Sequence, residues 1–210
     1  MRRIAVTSIL RREARKIEKQ ELKENPPVRR VSDAKVFLPV PFLRQSTGYS
    51  CGAASLLSNL QYLGYNPTER ELMKDLDGTQ GGVDPESFIE AAKKYGLEAN
   101  LVEGMSLDKL RSLIKGGSPV TLSIQAWGEK KDYSKEWDDG HYVLAIGYDD
   151  DGIYLVDPSQ AGYTFVADKE LESRWHDVKK DRSKKYVHLG IVVRGKKPCF
   201  QPEQVRPIQA

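Results

Sequence analysis

The stretch RQSTGYSCGAAS, residues 44–55, places Cys51 where a polar, glycine-containing segment gives way to an apolar helical pattern. A cysteine attacks as the thiolate, and partial positive charge at a helix start stabilises that form. Gly52, Ala53 and Ala54 follow it, small residues that leave a sulfur accessible. Alone, Cys51 is better explained as a core residue, because free cysteine is among the most buried residue types.

Two further features change the balance. DDGHYVLAIGYDDDGIYLVDPS, residues 138–159, reads as two strands joined at a DDDG turn. His141 then opens the first strand and Asp157 ends the second, at the open end of one hairpin. A nucleophile, an imidazole and a carboxylate that fixes the imidazole tautomer are the three parts of a catalytic triad. In the simplest register His141 faces residue 160, three residues from Asp157 and about 10 Å along a strand. A bulge, a twist or the bend at Pro158 has to close that gap. Gln45, six residues before Cys51, could aim its side-chain amide at a developing oxyanion, together with the Cys51 backbone N–H. Singly, His141 reads as a strand-edge histidine, Asp157 as an Asp-Pro turn and Gln45 as a loop residue. With a cysteine at a helix start they form a pattern for acyl-transfer chemistry.

The elements that must position these residues follow from periodicity and punctuation. Ala34–Phe42 is extended, since Pro39 and Pro41 exclude helix. Apolar residues at helical spacing run from Cys51 to Leu63, and Gly64 closes that helix. Thr68 caps a second helix, with Glu71 completing a capping box. A third runs from about Asp84 to Tyr95, and Ser106 caps a fourth that stops at Gly116-Gly117. Leu97–Val102 fits a strand. Beyond it, Val120–Ile124, Tyr142–Gly147, Ile153–Val156, Tyr163–Val166 and Val187–Val193 are short β-rich segments. Helices first and strands second predict an α+β fold. Residues 125–140 read as a long polar loop, and Trp127 and Trp137 within it indicate that it packs on something.

At this point the chain resembles a known family. Gln45-x5-Cys51-Gly52-Ala53-Ala54-Ser55, Gly140-His141-Tyr142-Val143 and Val156-Asp157-Pro158, with GTQGGVDPESFIEAAKKYGLEANLV between them, look like the papain-like double-glycine-leader peptidases that process bacteriocin precursors. The resemblance spans about residues 38–193. It implies a papain-like fold, with N-terminal helices packed against a small antiparallel sheet. It implies Cys51 as nucleophile, His141 as general acid and base, Asp157 as its orienter and Gln45 as oxyanion donor. The Cys-Gly-Ser-Cys-Trp signature of the papain subfamily is absent. Many members of the family are the N-terminal part of a membrane exporter with an ATPase; this chain resembles the free-standing branch. The expected activity is cysteine peptidase hydrolysis of a peptide or protein substrate. An acyl or amide transferase using the same residues, or a catalytically silent peptide-binding module, stands beside it.

Composition narrows the remainder. Apolar residues make up 39% of the 210 and charged residues 30%, as in a globular protein with a solvated surface. No apolar run approaches the roughly 20 residues of a membrane span. The N-terminal IAVTSIL stretch is interrupted by Thr7 and Ser8 and followed by Arg11 and Arg12, so no signal cleavage is expected and the expected location is cytoplasmic. Residues 1–30 hold ten Lys or Arg against four Glu. Such an arm can touch nucleic acid, but without interleaved aromatic residues it reads as a solvated, partly helical or flexible segment. Cys51 and Cys199 are too few for a disulfide framework, and His141, His176 and His188 lack metal-ligand spacing. No cofactor or metal is expected, and oligomeric state has no sequence signal. The expected organisation is a basic arm over residues 1–33, a peptidase domain over 34–195 and a tail over 196–210.

Overall fold

The computed structural model describes residues 28–127 and 133–204. The expected helix of the basic arm lies outside them, as does the centre of the 125–140 loop. The chain divides into two units between Asp33 and Ala34. Of the first, a single 3-10 turn, Val31–Asp33, is described.

The second unit carries a seven-stranded sheet. Its strands are β1 (Val36–Phe37), β2 (Glu98–Val102), β3 (Val120–Gln125), β4 (Gly140–Tyr148), β5 (Gly152–Val156), β6 (Tyr163–Ala167) and β9 (Gly190–Arg194). The order is β2-β9-β3-β4-β5-β6, antiparallel throughout. The short β1 pairs with Gly147 and Tyr148 of β4, where the β3 ladder has ended at Ala145. A separate two-stranded hairpin joins β7 (His176–Val178) to β8 (Lys185–Val187). The helices are α1 (Cys51–Tyr62), α2 (Glu69–Asp75), α3 (Ser87–Lys94), α4 (Leu107–Lys115) and α5 (Asp168–Arg174). Among the described residues no helix is long and apolar enough to cross a membrane.

Burial shows how these elements meet. Every residue of β3 and β5 is buried, as is β4 from His141 to Gly147. Successive strand residues point to opposite faces, so both faces of the sheet centre are covered. Helix α1 packs on β4 and α2, and α4 packs on β1, β3 and β4. Eleven of the twelve α1 residues are buried, all but Gln61, which makes it the central helix of the core. Its end is a Schellman motif: Gly64 (φ 86°) donates to Gln61 O and Tyr65 to Leu60 O. Only glycine enters that left-handed backbone without a Cβ penalty. The predicted Thr68–Glu71 capping box is present on α2, and Ser106 caps α4 by accepting from Lys109 N.

The α+β arrangement expected from the sequence is thus the one observed, with three differences. The expected strand Val187–Val193 is two strands in different sheets, separated at His188, whose φ of 51° breaks the extended backbone. Helix α5 and strand β7 fill residues 168–178, where the sequence suggested no element. Strands β3 and β4 also reach further than expected, confining the loop between them to residues 126–139.

Candidate active site

The site is assembled where α1 begins against the end of β4. Cys51 is the first residue of α1, and Gly52 is what allows that end to sit so low on the sheet. A Cβ at residue 52 would lie 2.4 Å from Val83 Cγ2 and 3.2 Å from Tyr142 Cδ2. Ser55, one turn on, donates from Oγ to Tyr142 O at 3.2 Å, and Tyr142 donates its phenolic hydrogen to Val83 O. The helix start is therefore fixed to the residue that follows His141.

His141 is 2% exposed. Its Nε2 lies 2.8 Å from Asp157 Oδ1, and because an ionised carboxylate only accepts, Nε2 is the donor. Burial alone would lower the imidazole pKa. The Asp157 hydrogen bond and the proximity of Cys51, with the charge of Asp157, outweigh it and push the value up to about 9. Asp157 goes the other way. Burial would raise its pKa, and the His141 hydrogen bond and charge, with two donors from Ser159, hold it below the ordinary value.

The gap anticipated between His141 and Asp157 is closed by a bulge. Near the turn, Tyr148 pairs with Ile153 and Gly147 with Tyr154; beyond an irregularity between Ala145 and Gly147, Ala145 pairs with Leu155 and Leu144 with Val156. The extra residue in β4 shifts the register by one, bringing Asp157 a residue closer to His141. The ladder stops at Val156 and the chain turns. Asp157 Oδ1 accepts from Ser159 N at 2.9 Å and Ser159 Oγ at 2.7 Å, which holds the carboxylate facing the imidazole. Ser159 was missed in the sequence, although Asp followed two residues later by Ser is a known local turn signal.

Gln45 is tied through its backbone to the turn that carries Asp157. Its N–H donates to Pro158 O at 2.9 Å, joining that turn to the loop before Cys51. Its Nε2 donates to Thr47 O at 2.7 Å, which occupies one of two amide hydrogens, and its Oε1 is buried without a hydrogen-bond partner. The 126–139 loop supplies two aromatic walls. The Trp127 ring lies 5.1 Å from that of His141, and the Trp137 ring 4.5 Å from that of His176. Cys51 is 9% exposed and lines a cavity of about 240 Å³. Asp177 and Ser123 also line that cavity. Neither was legible as a site residue, because β7 has only three residues and its partner lies beyond a turn.

Comparison with known proteins decides the family. Residues 37–183 match the family described as Peptidase C39-like. The chain belongs to that peptidase family. Two proteins of unassigned function, from Methanothermobacter marburgensis and Methanothermobacter thermautotrophicus, are 32% and 31% identical over 130 residues. The matches cover 61% and 62% of this chain and 80% and 78% of those proteins. A crystal structure assigned as a C39-like peptidase from Bacillus anthracis superposes with a TM-score of 0.60 at 23% identity, over 79% of this chain and all of that one. A double-glycine motif protease from an AMS/PCAT transporter, solved in complex with its leader peptide, gives 0.57 at 20% identity, over 79% and 96%. These likenesses show the papain-like peptidase fold.

Proposed function

We propose that the protein is a cysteine peptidase in which Cys51 attacks a peptide amide, His141 moves the proton, Asp157 orients His141 and Gln45 stabilises the oxyanion. The observation that carries this reading is the buried imidazole of His141, held by Asp157 at 2.8 Å and electrostatically coupled to Cys51 at the start of α1. The raised pKa of His141 keeps the imidazole protonated at neutral pH, the form that can stabilise a thiolate at Cys51. The thiolate adds to the carbonyl carbon. The oxyanion is met by the second Gln45 amide hydrogen and by the Cys51 N–H, which as the first in its helix has no intrahelical acceptor. His141 passes its proton to the leaving amine as the C–N bond breaks. Water then adds to the thioester, giving its proton to His141, and the new carboxylate leaves as Cys51 is regenerated. A peptide substrate is supported by the leader peptide bound to the transporter protease of the same fold.

The test is turnover of a peptide library in ¹⁸O-labelled water, read by mass spectrometry. Hydrolysis puts one heavy oxygen into each new C-terminus, and Cys51→Ala abolishes it. Products that carry an added amine acceptor and no heavy oxygen would make the enzyme a transferase. Peptide binding without turnover, unchanged in Cys51→Ala, would make it a binding module.

A further inference from the structure

The cavity beside Cys51 holds a charged group that this chemistry does not use. Asp177 is the central residue of β7 and faces β3. Its Oδ2 accepts from Ser123 Oγ at 2.7 Å, and its Oδ1 accepts from Val178 N at 2.8 Å and Gln125 Nε2 at 3.2 Å. Gly140, immediately before His141, makes room for it: a Cβ there would lie 2.5 Å from Asp177 Oδ1. The carboxyl group is thus pressed against the backbone next to His141 and lines the same cavity as Cys51. Burial pushes its pKa up, against the opposing pull of the hydrogen bonds and of His176.

The three donors fix the carboxylate without neutralising it, since hydroxyl, amide and backbone N–H are all uncharged. Of the three cationic side chains that line the cavity, Arg182 and Lys180 have other acidic partners. Arg182 pairs with Asp138 at 2.9 Å, and Lys180 lies 3.9 Å from Asp84. Lys179 acts on Glu86, whose Oε1 accepts from Tyr186. Arg182 and Asp138 are largely exposed, with 60% and 75% of their side chains in solvent. A charge pair 4 Å apart is worth about 1 kcal/mol in water and about 4 kcal/mol at the lower effective dielectric near a protein surface. The half-buried Asp177 therefore outweighs the solvated Arg182–Asp138 pair in setting which charge the cavity accepts.

We propose that Asp177 selects substrates that place a positive charge, from a lysine or arginine side chain or from a free α-ammonium, in the cavity beside the scissile bond. This rests on Cys51 being the nucleophile. Gly140 and the β7–β8 hairpin are then the structural means of bringing a carboxylate to that position.

The test uses epoxysuccinyl peptides with acetylated N-termini that carry lysine, norleucine or glutamate on either side of the epoxide. A parallel set ends in alanine with a free amine, which separates the side-chain source of the charge from the terminal one. Adduct formation at Cys51 is followed by mass spectrometry. The expected result is that a cationic probe labels Cys51 at least about tenfold faster than norleucine, and glutamate more slowly still. In Asp177→Asn the lysine-to-norleucine ratio falls to within about twofold, with the norleucine rate and the near-ultraviolet circular dichroism unchanged. Ser123→Ala, which removes a neutral donor and keeps the charge, retains the preference. Equal lysine and norleucine rates in the unaltered protein overturn the inference, as does a preference that survives Asp177→Asn or is lost equally in Ser123→Ala. Iodoacetamide on the same samples reports the nucleophile alone. Fast alkylation of Cys51 without a charge preference sinks Asp177 and leaves the peptidase reading standing, whereas a Cys51 inert to every reagent sinks both.

Discussion

His141 Nε2 and Asp157 Oδ1 meet at 2.8 Å across the open end of the β4–β5 hairpin, Asp157 one residue and His141 three residues beyond the last ladder pair, Leu144 with Val156. Two devices produce that meeting, the bulge in β4 and the Ser159 clamp on Asp157. Neither involves Cys51, so each can be altered while that residue stays intact.

Ser159→Ala removes the 2.7 Å hydroxyl donor to Asp157 Oδ1 and leaves the backbone donor in place. A hydrogen bond to a charged acceptor contributes about 1.5–3 kcal/mol. Part of that is lost to the aim of the carboxylate, so alkylation of Cys51 by iodoacetamide at neutral pH should slow by about tenfold. Ser159→Thr, which restores a hydroxyl, should recover most of the rate. A rate unchanged in Ser159→Ala would mean that the backbone N–H alone orients Asp157.

How much of this was legible in the sequence depended on whether the signal was local. Gly64 after an apolar helix, Thr68 before Glu71 and Ser106 before α4 are short-range rules, and each marked its helix end correctly. The pairing of His141 with Asp157 could be anticipated because both flank one DDDG turn, where Asp149 accepts from the N–H groups of Asp151 and Gly152. The bulge could not be located, since GHYVLAIGY is buried on both faces and carries no alternation to betray its register. The β7–β8 hairpin went unread for another reason. Each strand has three residues, and what holds β7 to the sheet are contacts from Ser123 and Gln125, more than fifty residues away. Asp177 therefore looked like one more acid in a charged stretch.

Gly52 is required by packing rather than by backbone conformation, which is helical. Alanine is normally the better helix former by about 1 kcal/mol. Here its methyl group would meet Val83 Cγ2 at 2.4 Å, and overpacking of this kind costs about 1–3 kcal/mol. Gly52→Ala should lower the melting temperature and, by lifting the start of α1 from Tyr142, reduce Cys51 alkylation. Val83→Ala clears the obstruction, so Gly52→Ala/Val83→Ala should be more stable than the sum of the single changes predicts. Strict additivity in that double-mutant cycle would place the constraint on Gly52 elsewhere.

The high pKa of His141 ties stability to pH with a definite sign. Its value rises from about 6.5 in an unfolded chain to about 9 in the fold, so the folded state holds a proton that the unfolded state has released. The associated stability is fully present below about pH 6.5 and is lost as pH rises through 9, with an upper bound on the order of 3 kcal/mol. Urea midpoints measured from pH 6 to pH 10 should therefore fall more steeply for the unaltered protein than for His141→Gln, whose side chain does not titrate. Asp157→Asn should flatten the curve as well, because the carboxylate is one of the two groups that hold the imidazole proton. Parallel curves for all three proteins would show that folding adds no net proton at the site around His141.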